Sequence, residues 1–299
     1  MRIGEFKKRW LPKLKEAREL DLLLEFVLGK SAEEIVLSNN LLLKKEEIVT
    51  LERMLSELLA GKPLDYIMGE RYFYGERFKV DESTLIPRPE TEILIELAGE
   101  KILRQLRDLL VVDIGTGSGN IVISLAKMLK KQGISCSENN IKFLATDISP
   151  VALAMARKNA SLLGVSEVDF LKGDLLKPLE AILAKTSANI FLLANLPYLS
   201  EVVYHNTAPK VKKYEPRSAL LSGRDGLDHY RRLLKQLKAG EQSGWLRKRN
   251  IYCFWEISPE QKDNLTGEIA KTFPKAEIVA HRDLAKRWRI IEWAMKAKS

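Results

Sequence analysis

LLVVDIGTGSGN (109–120) opens on four consecutive apolar residues and closes on glycines at alternate positions, Gly115, Gly117 and Gly119. The helical run IVISLAKML (121–129) follows at once. A short apolar run bounded by glycines reads as a buried strand, and here it turns directly into a helix. In a doubly wound sheet that junction lies at the carboxyl ends of the strands, where ligands bind. Glycines permit positive φ and close approach of the backbone, and the amides that open the next helix point toward an electron-rich group. A glycine turn is also ordinary strand-to-helix chemistry, so its neighbours decide its meaning.

Downstream the same alternation repeats. Apolar runs occur at IKFLATD (141–147), VDFLKGD (168–174), NIFLLAN (189–195) and IYCFWEI (251–257), and AEIVA (276–280) and RIIEWA (289–294) close the chain. Together with 109–115 they predict a seven-stranded α/β sheet. Strands separated by helix-length segments require mainly parallel pairing with right-handed crossovers. The last two runs are only about eight residues apart, too close for a helical crossover, so an antiparallel hairpin is expected at one edge.

Upstream the period changes. Leu20, Leu23, Leu24 and Val27, then Ile48, Leu51, Met54, Leu55 and Leu58, recur at helical spacing. Gly29 reads as a helix stop, and Ser31 with Glu34 as a capping box. RYFYGERFKV (71–80) then predicts a β-hairpin broken at Gly75 and Glu76. In LIPRPETEILIEL (85–97) the prolines delay a helix until Glu90, Thr91 and Glu92. The expected division is a small all-α domain over 1–70, a β-hairpin linker over 71–84 and the sheet domain over 85–299.

Composition adds limits. No apolar run approaches the roughly 18 residues that span a bilayer, and MRIGEFKKRW lacks the apolar core of a signal peptide, so a cytoplasmic protein with no membrane partner is expected. The net charge of +9 is mostly interleaved with acids, as on a solvated face. Its densest spots, Lys210 to Lys213 and Arg247 to Arg249, read as loops. Cys136 and Cys253 stand far apart without ligand spacing, so neither a disulfide nor a metal site is indicated, and His205, His229 and His281 receive no role.

The acids narrow the ligand. A dinucleotide fingerprint wants Gly or Ala where Asn120 stands and an acid about 20 residues on, whereas Asp147 follows after roughly 30. The Lys and Ser of a triphosphate-binding loop are also missing. Asp147 ends the second strand, where a carboxylate suits a ribose diol, and Asp174 ends the third, placed for the amino edge of adenine. Successive strands ending in a glycine turn and two acids point to an adenosine cofactor. At this point the chain resembles the Rossmann-like class I methyltransferases that use S-adenosylmethionine and release S-adenosylhomocysteine.

The fourth strand ends in Asn195, Leu196, Pro197 and Tyr198. An amide or aryl-amine nitrogen is a poor nucleophile because its lone pair is delocalised. Acceptors aimed at its N–H bonds, here the Asn195 side-chain oxygen and the carbonyl of Leu196 or Pro197, would pyramidalise it and take up developing charge. Pro197 stiffens the loop, and Tyr198 is expected to stack on the planar group. That logic fits the [DN]PP[YF]-type motif of amino-methyltransferases and leaves adenine and glutamine both open.

Almost from end to end, the chain resembles the peptide chain release factor N5-glutamine methyltransferases. The resemblance rests on GKPLDYIMGERYFYGERFKV (61–80), LIPRPETEILIE (85–96), TDISPVALAMARKNA (146–160), YEPRSALLSGRDGLDHYRRLL (214–234) and HRDLAKRWRIIEW (281–293). It implies methylation of the glutamine of the GGQ motif in class 1 release factors, with a helical N-terminal domain that recognises the substrate. It carries cofactor binding over to Gly115, Thr116, Gly117, Ser118, Gly119, Asp147, Asp174, Leu175 and Asn195. Arg88 and Glu90 would border the active site as substrate-binding residues; alternatively Arg88 pairs with a helix-start carboxylate and Glu90 caps a helix. Glu256 ends a strand and would face the same cleft, or is a strand-end acid without function. Two positions depart from the pattern: Leu196 replaces a proline of NPPY, and Leu175 stands where an aromatic is frequent.

The rival reading is N6-adenine methylation of ribosomal RNA or another nucleic acid, because NLPY also occurs in ribosomal RNA adenine dimethyltransferases. Those carry their extra helices after the sheet, whereas here the helices come first. A catalytically idle, partner-binding subunit would have no need of the acids and Asn195. A monomer without direct nucleic-acid binding is expected.

Overall fold

The computed structural model describes residues 1–246 and 249–297. Its first helices are α1 (Ile3–Trp10), α2 (Ala17–Leu28), α3 (Ala32–Leu37), α4 (Lys45–Leu59) and α5 (Leu64–Met68). The helical spacing buries Phe6, Leu20, Leu23, Leu24, Leu51 and Leu55 in one cluster. Each such side chain stabilises the fold by roughly 1.5–3 kcal/mol. Gly29 ends α2 at φ +63, and Ser31 caps α3 through reciprocal bonds with Glu34, its N–H donating to Glu34 Oε2 at 2.8 Å. Residues Met1–Glu70 form one compact unit together with Ala208–Tyr214, and the remaining described chain forms a second.

The hairpin pairs β1 (Glu70–Phe73) with β2 (Glu76–Lys79). Its break lies one residue earlier than the sequence reading placed it. Tyr74 and Gly75 both take positive φ, +49 and +75, the twist that closes a two-residue hairpin, so Glu76 begins the second strand instead. Tyr74 N–H donates to Glu92 Oε1 at 2.8 Å, which compensates an unusual backbone for a tyrosine.

A 3-10 turn over Pro89–Thr91 leads into α6 (Glu92–Leu103). The sheet then builds through β3 (Leu109–Ile114), α7 (Asn120–Lys131), β4 (Ile141–Asp147), α8 (Pro150–Leu162), β5 (Val168–Lys172), α9 (Glu180–Lys185) and β6 (Asn189–Ala194). Two short helices, α10 (Glu201–Asn206) and α11 (Pro209–Tyr214), precede α12 (Asp228–Gln242), β7 (Ile251–Glu256), α13 (Lys262–Thr272), β8 (Glu277–Arg282) and β9 (Trp288–Met295). The strand order is β5-β4-β3-β6-β7-β9-β8. The first five run parallel, and β9 lies antiparallel between β7 and β8 at one edge. No described helix is long and apolar enough to cross a membrane.

Register fixes the site. Ile114 stands opposite Thr146 and Ala194, and Ala194 opposite Trp255. The glycine turn, Asp147, Asn195 and Glu256 therefore emerge side by side at one sheet edge. Both faces are filled: Val111, Phe143, Phe191 and Phe254 join Leu94 and Leu125, while Val112, Leu192 and Trp255 join Tyr230 and Leu233. Trp255 stacks on Tyr230 and meets Trp293 edge-on, with ring centroids 5.1 Å apart in each pair.

Of the two basic spots, Lys210, Lys212 and Lys213 lie in α11 and not in a loop, because Pro209 at its first position is already set for helical φ. Arg247 and Lys248 lie outside the described residues, and Arg249 is buried with Nη1 donating to the Leu183 carbonyl. Cys253 is buried in β7, and burial pushes its thiol well above the usual range.

Candidate active site

A cavity opens at the carboxyl edge of the parallel strands. Gly115, Thr116, Gly117, Ser118, Asp147, Asp174, Leu175, Asn195, Leu196, Pro197 and Arg88 all line it. Gly119, Tyr198 and Glu90 stand behind this lining. Gly119 serves packing: at φ +80, an added Cβ would lie 3.2 Å from Ala156 Cβ and 2.7 Å from Ile123 Cδ1. Gly115 is packed in the same way, since its Cβ would meet Leu196 Cδ2 at 2.8 Å. Leu196, in the position of a family proline, is thus buried against the glycine turn.

Polar bonds hold that turn. Thr116 Oγ1 donates to Asp113 Oδ2 at 2.6 Å, and burial pushes the Asp113 carboxyl up to about 7. Asp147 accepts from Gly117 N–H at 2.9 Å and Ser149 N–H at 2.8 Å; burial raises its carboxyl and these bonds oppose the rise. Asn159 binds the hairpin to the turn, accepting from Lys79 N–H at 2.7 Å and donating to the carbonyls of Lys79 and Ser118 at 3.0 and 2.9 Å. Its helical position in α8 gave no hint of this role.

At the far end Asp174 is already balanced, with Oδ1 2.5 Å from Arg232 Nη2 and Oδ2 3.1 Å from Lys177 Nζ. Burial alone would raise this carboxyl, but Lys177 and Arg232 bring it below its ordinary value. Leu175 is buried at φ +56, and its carbonyl accepts from Thr146 Oγ1 at 3.0 Å. His229, which sequence reasoning passed over, also lines the cavity; its Nδ1 lies 2.6 Å from Ser222 Oγ, and burial lowers its pKa.

Asn195 occupies the centre. Its Nδ2 donates to Thr91 Oγ1 at 3.0 Å, while its Oδ1 is buried without a hydrogen-bond partner. Thr91 Oγ1 donates in turn to Glu256 Oε2 at 2.6 Å. The Tyr198 hydroxyl donates to Glu256 Oε1 at 3.3 Å. Burial and the neighbouring Glu256 both raise its phenol pKa. The peptide after it is clamped: Gln261 Nε2 donates to the Tyr198 carbonyl at 2.8 Å and the Asp225 carbonyl at 3.1 Å. Gly226 leaves room for this, since a Cβ there would sit 2.1 Å from the Tyr198 oxygen.

Arg88 bonds no helix-start acid; its Nη2 lies 2.6 Å from both oxygens of Glu215. The IPRPETE and YEPR segments are thus joined. Glu90 sits in the 3-10 turn. Among the described residues no His, Cys, Asp or Glu cluster could hold a metal ion.

Burial pushes the Glu256 carboxyl up to about 7, against relief from Thr91, Arg289 and Tyr198. A raised acid stabilises the fold fully below its ordinary value near 4.5 and loses that contribution as pH rises through about 7. Relative to Glu256→Gln, the parent's unfolding free energy is expected to fall across that interval by a few kcal/mol. Chemical denaturation at stepped pH checks this, and parallel curves would contradict it.

Comparison with known proteins agrees with this architecture. A methyltransferase domain model matches residues 106–239, and a PrmC N-terminal domain model matches residues 13–69. The release factor glutamine methyltransferase of Bacillus anthracis is 35% identical over 88% of this chain and 91% of its own length. That of Bacillus subtilis is 34% identical over 93% and 91%, and that of Dictyoglomus turgidum 35% identical over 92% and 89%. The hMettl16 catalytic domain, solved in complex with a 3'UTR hairpin, shares the fold at a TM-score of 0.54 and 19% identity, covering 86% of this chain and 83% of its own. Identity of this level, sustained through both the helical and the sheet-bearing parts, settles the lineage: the chain is a methyltransferase and belongs to the release factor glutamine methyltransferase family.

Proposed function

We propose that the protein transfers a methyl group from S-adenosylmethionine to the side-chain N5 of the glutamine in the GGQ motif of peptide chain release factors. The observation that carries the reading is the buried, unpartnered Asn195 Oδ1 at a cavity that also contains the glycine turn and two strand-end carboxylates. A carboxamide N–H is the partner that such an acceptor lacks.

The residues fit the cofactor. Gly117, where an added Cβ would meet nothing within 4 Å, leaves open space for its amino-acid portion, Asp147 has lone pairs to spare for a ribose diol, and Asp174 with Leu175 borders the adenine end. When bound, the cofactor supplies a methyl on a positively charged sulfur, already activated for transfer. The chain then has to orient the nitrogen. Asn195 Oδ1 and the carbonyl of Leu196 or Pro197 accept from its two N–H bonds, favour pyramidal geometry and take up the charge that develops. Burial of Leu196 against Gly115 supplies part of the rigidity a second proline would give. After transfer the proton can pass to water, so no histidine is needed as base.

We assign residues 1–70 to recognition of the release factor, 71–84 to the linking hairpin and 85–299 to catalysis. Removing 1–70 is expected to reduce methylation of the intact release factor far more than cofactor affinity; equal losses would leave those helices a purely structural task. Asp147→Ala is expected to weaken cofactor binding by about 1.5–3 kcal/mol, the scale of a lost charge-assisted hydrogen bond. Calorimetric titration reads it, and unchanged affinity would remove the ribose assignment. The function itself is tested by methyl transfer to a purified release factor with and without its GGQ glutamine. Transfer to naked ribosomal RNA instead would establish the adenine alternative.

A further inference from the structure

We propose that Thr91 and Glu256 are positioning residues that fix the Asn195 amide with its oxygen turned toward the substrate. The inference rests on the function proposed above and names what orients its central acceptor. A threonine hydroxyl has one proton. Thr91 Oγ1 lies 2.6 Å from Glu256 Oε2 and 3.0 Å from Asn195 Nδ2. An ionised carboxylate can only accept, so the hydroxyl proton points at Glu256 and Thr91 offers Asn195 a lone pair alone. Only the amino end of the carboxamide can meet a lone pair. Turned by half a rotation, Asn195 would set oxygen against oxygen and present an NH₂ donor where the substrate amide needs an acceptor.

The relay's two inner members are buried. Thr91 is 1% exposed and Glu256 0%. Tyr198 donates to the second carboxylate oxygen, and Tyr230 to the backbone carbonyl of Glu256. The charged groups that bear on Glu256 are Arg289, from β9, and Glu90, from the 3-10 turn. The arrangement converts a carboxylate outside the cavity wall into an oriented acceptor inside it. Protonation of Glu256 would reverse the direction: its O–H would turn onto Thr91, whose own proton would then seek the Asn195 oxygen. An acidic limb in kcat follows, transmitted through Thr91.

The test uses the full chain with a release factor as substrate. Thr91→Val keeps the shape and removes both donor and acceptor. It is expected to lower kcat by about 10- to 100-fold, with KM and cofactor Kd held within about twofold, and to abolish the acidic limb. Thr91→Ser is expected to restore kcat to within about twofold of the parent and to restore the limb. An unchanged kcat in Thr91→Val would overturn the proposal, as would Thr91→Ser being equally impaired, which would mark a packing role. If circular dichroism shows Thr91→Val unfolded, Glu256→Gln takes its place: loss of the acidic limb supports the relay and its retention overturns it. A parent protein inactive on the release factor would overturn the functional reading instead, so the two failures are distinguishable.

Discussion

Asn195→Ala is expected to lower kcat for methyl transfer by about 10²–10³-fold, the effect of removing one preorganised acceptor or donor from a reacting centre. The argument is differential. Asn195 Oδ1 has no partner within the described protein, so its desolvation is uncompensated until an N–H arrives. The bond strengthens as the nitrogen pyramidalises and acquires positive charge, and it therefore acts on the barrier more than on binding. Cofactor affinity should stay near the parent value, because the glycine turn and Asp147 are held by bonds that do not pass through Asn195. Single-turnover kinetics with a saturating release factor separates the two. Equal loss of cofactor affinity and rate would move Asn195 from the reacting nitrogen to the cofactor.

Arg88→Met is expected to destabilise the fold by about 3 kcal/mol, at the lower end of what breaking a buried ion pair costs, since the Arg88 side chain keeps 34% exposure. Glu215 is the reason: its side chain is only 2% exposed and both its oxygens rest on one guanidinium nitrogen. Without Arg88 a carboxylate stays buried and unpaired. The Arg88→Met, Glu215→Gln double variant should recover most of the stability, because it removes the stranded charge as well. Urea denaturation of the two singles and the double gives the coupling energy. Additive losses would show that the pair is a surface contact without structural weight.

Much of this was legible in the sequence for a simple reason. The central parallel strands β3, β6 and β7 are buried on both faces and read as apolar runs. Every strand fell within a residue or two of its expected position, and the acid that ends β4 came with it. Antiparallel placement of β9 inside the edge pair was not readable, since a short connection fixes the hairpin and not which arm faces the sheet. The side-chain relays were also hidden. Thr91 reaches Asn195 across 104 positions and Glu256 across 165, and Arg88 reaches Glu215 across 127. No periodicity encodes such pairings. The hydrogen bond from the Tyr198 hydroxyl to Glu256 spans 58 positions and was hidden for the same reason. The hairpin break was missed because it requires a tyrosine at positive φ, a conformation that residue type does not advertise.

Asn159 has one further meaning for anyone dividing this protein. Its amide spends three bonds on two main-chain segments far apart in sequence, Lys79 and Ser118, in a place with no solvent to substitute. A truncation that trims the hairpin as a dispensable spacer would strand that amide and loosen the floor beneath the glycines. The boundary for an excised catalytic fragment therefore belongs ahead of Glu70, with both arms of the hairpin retained.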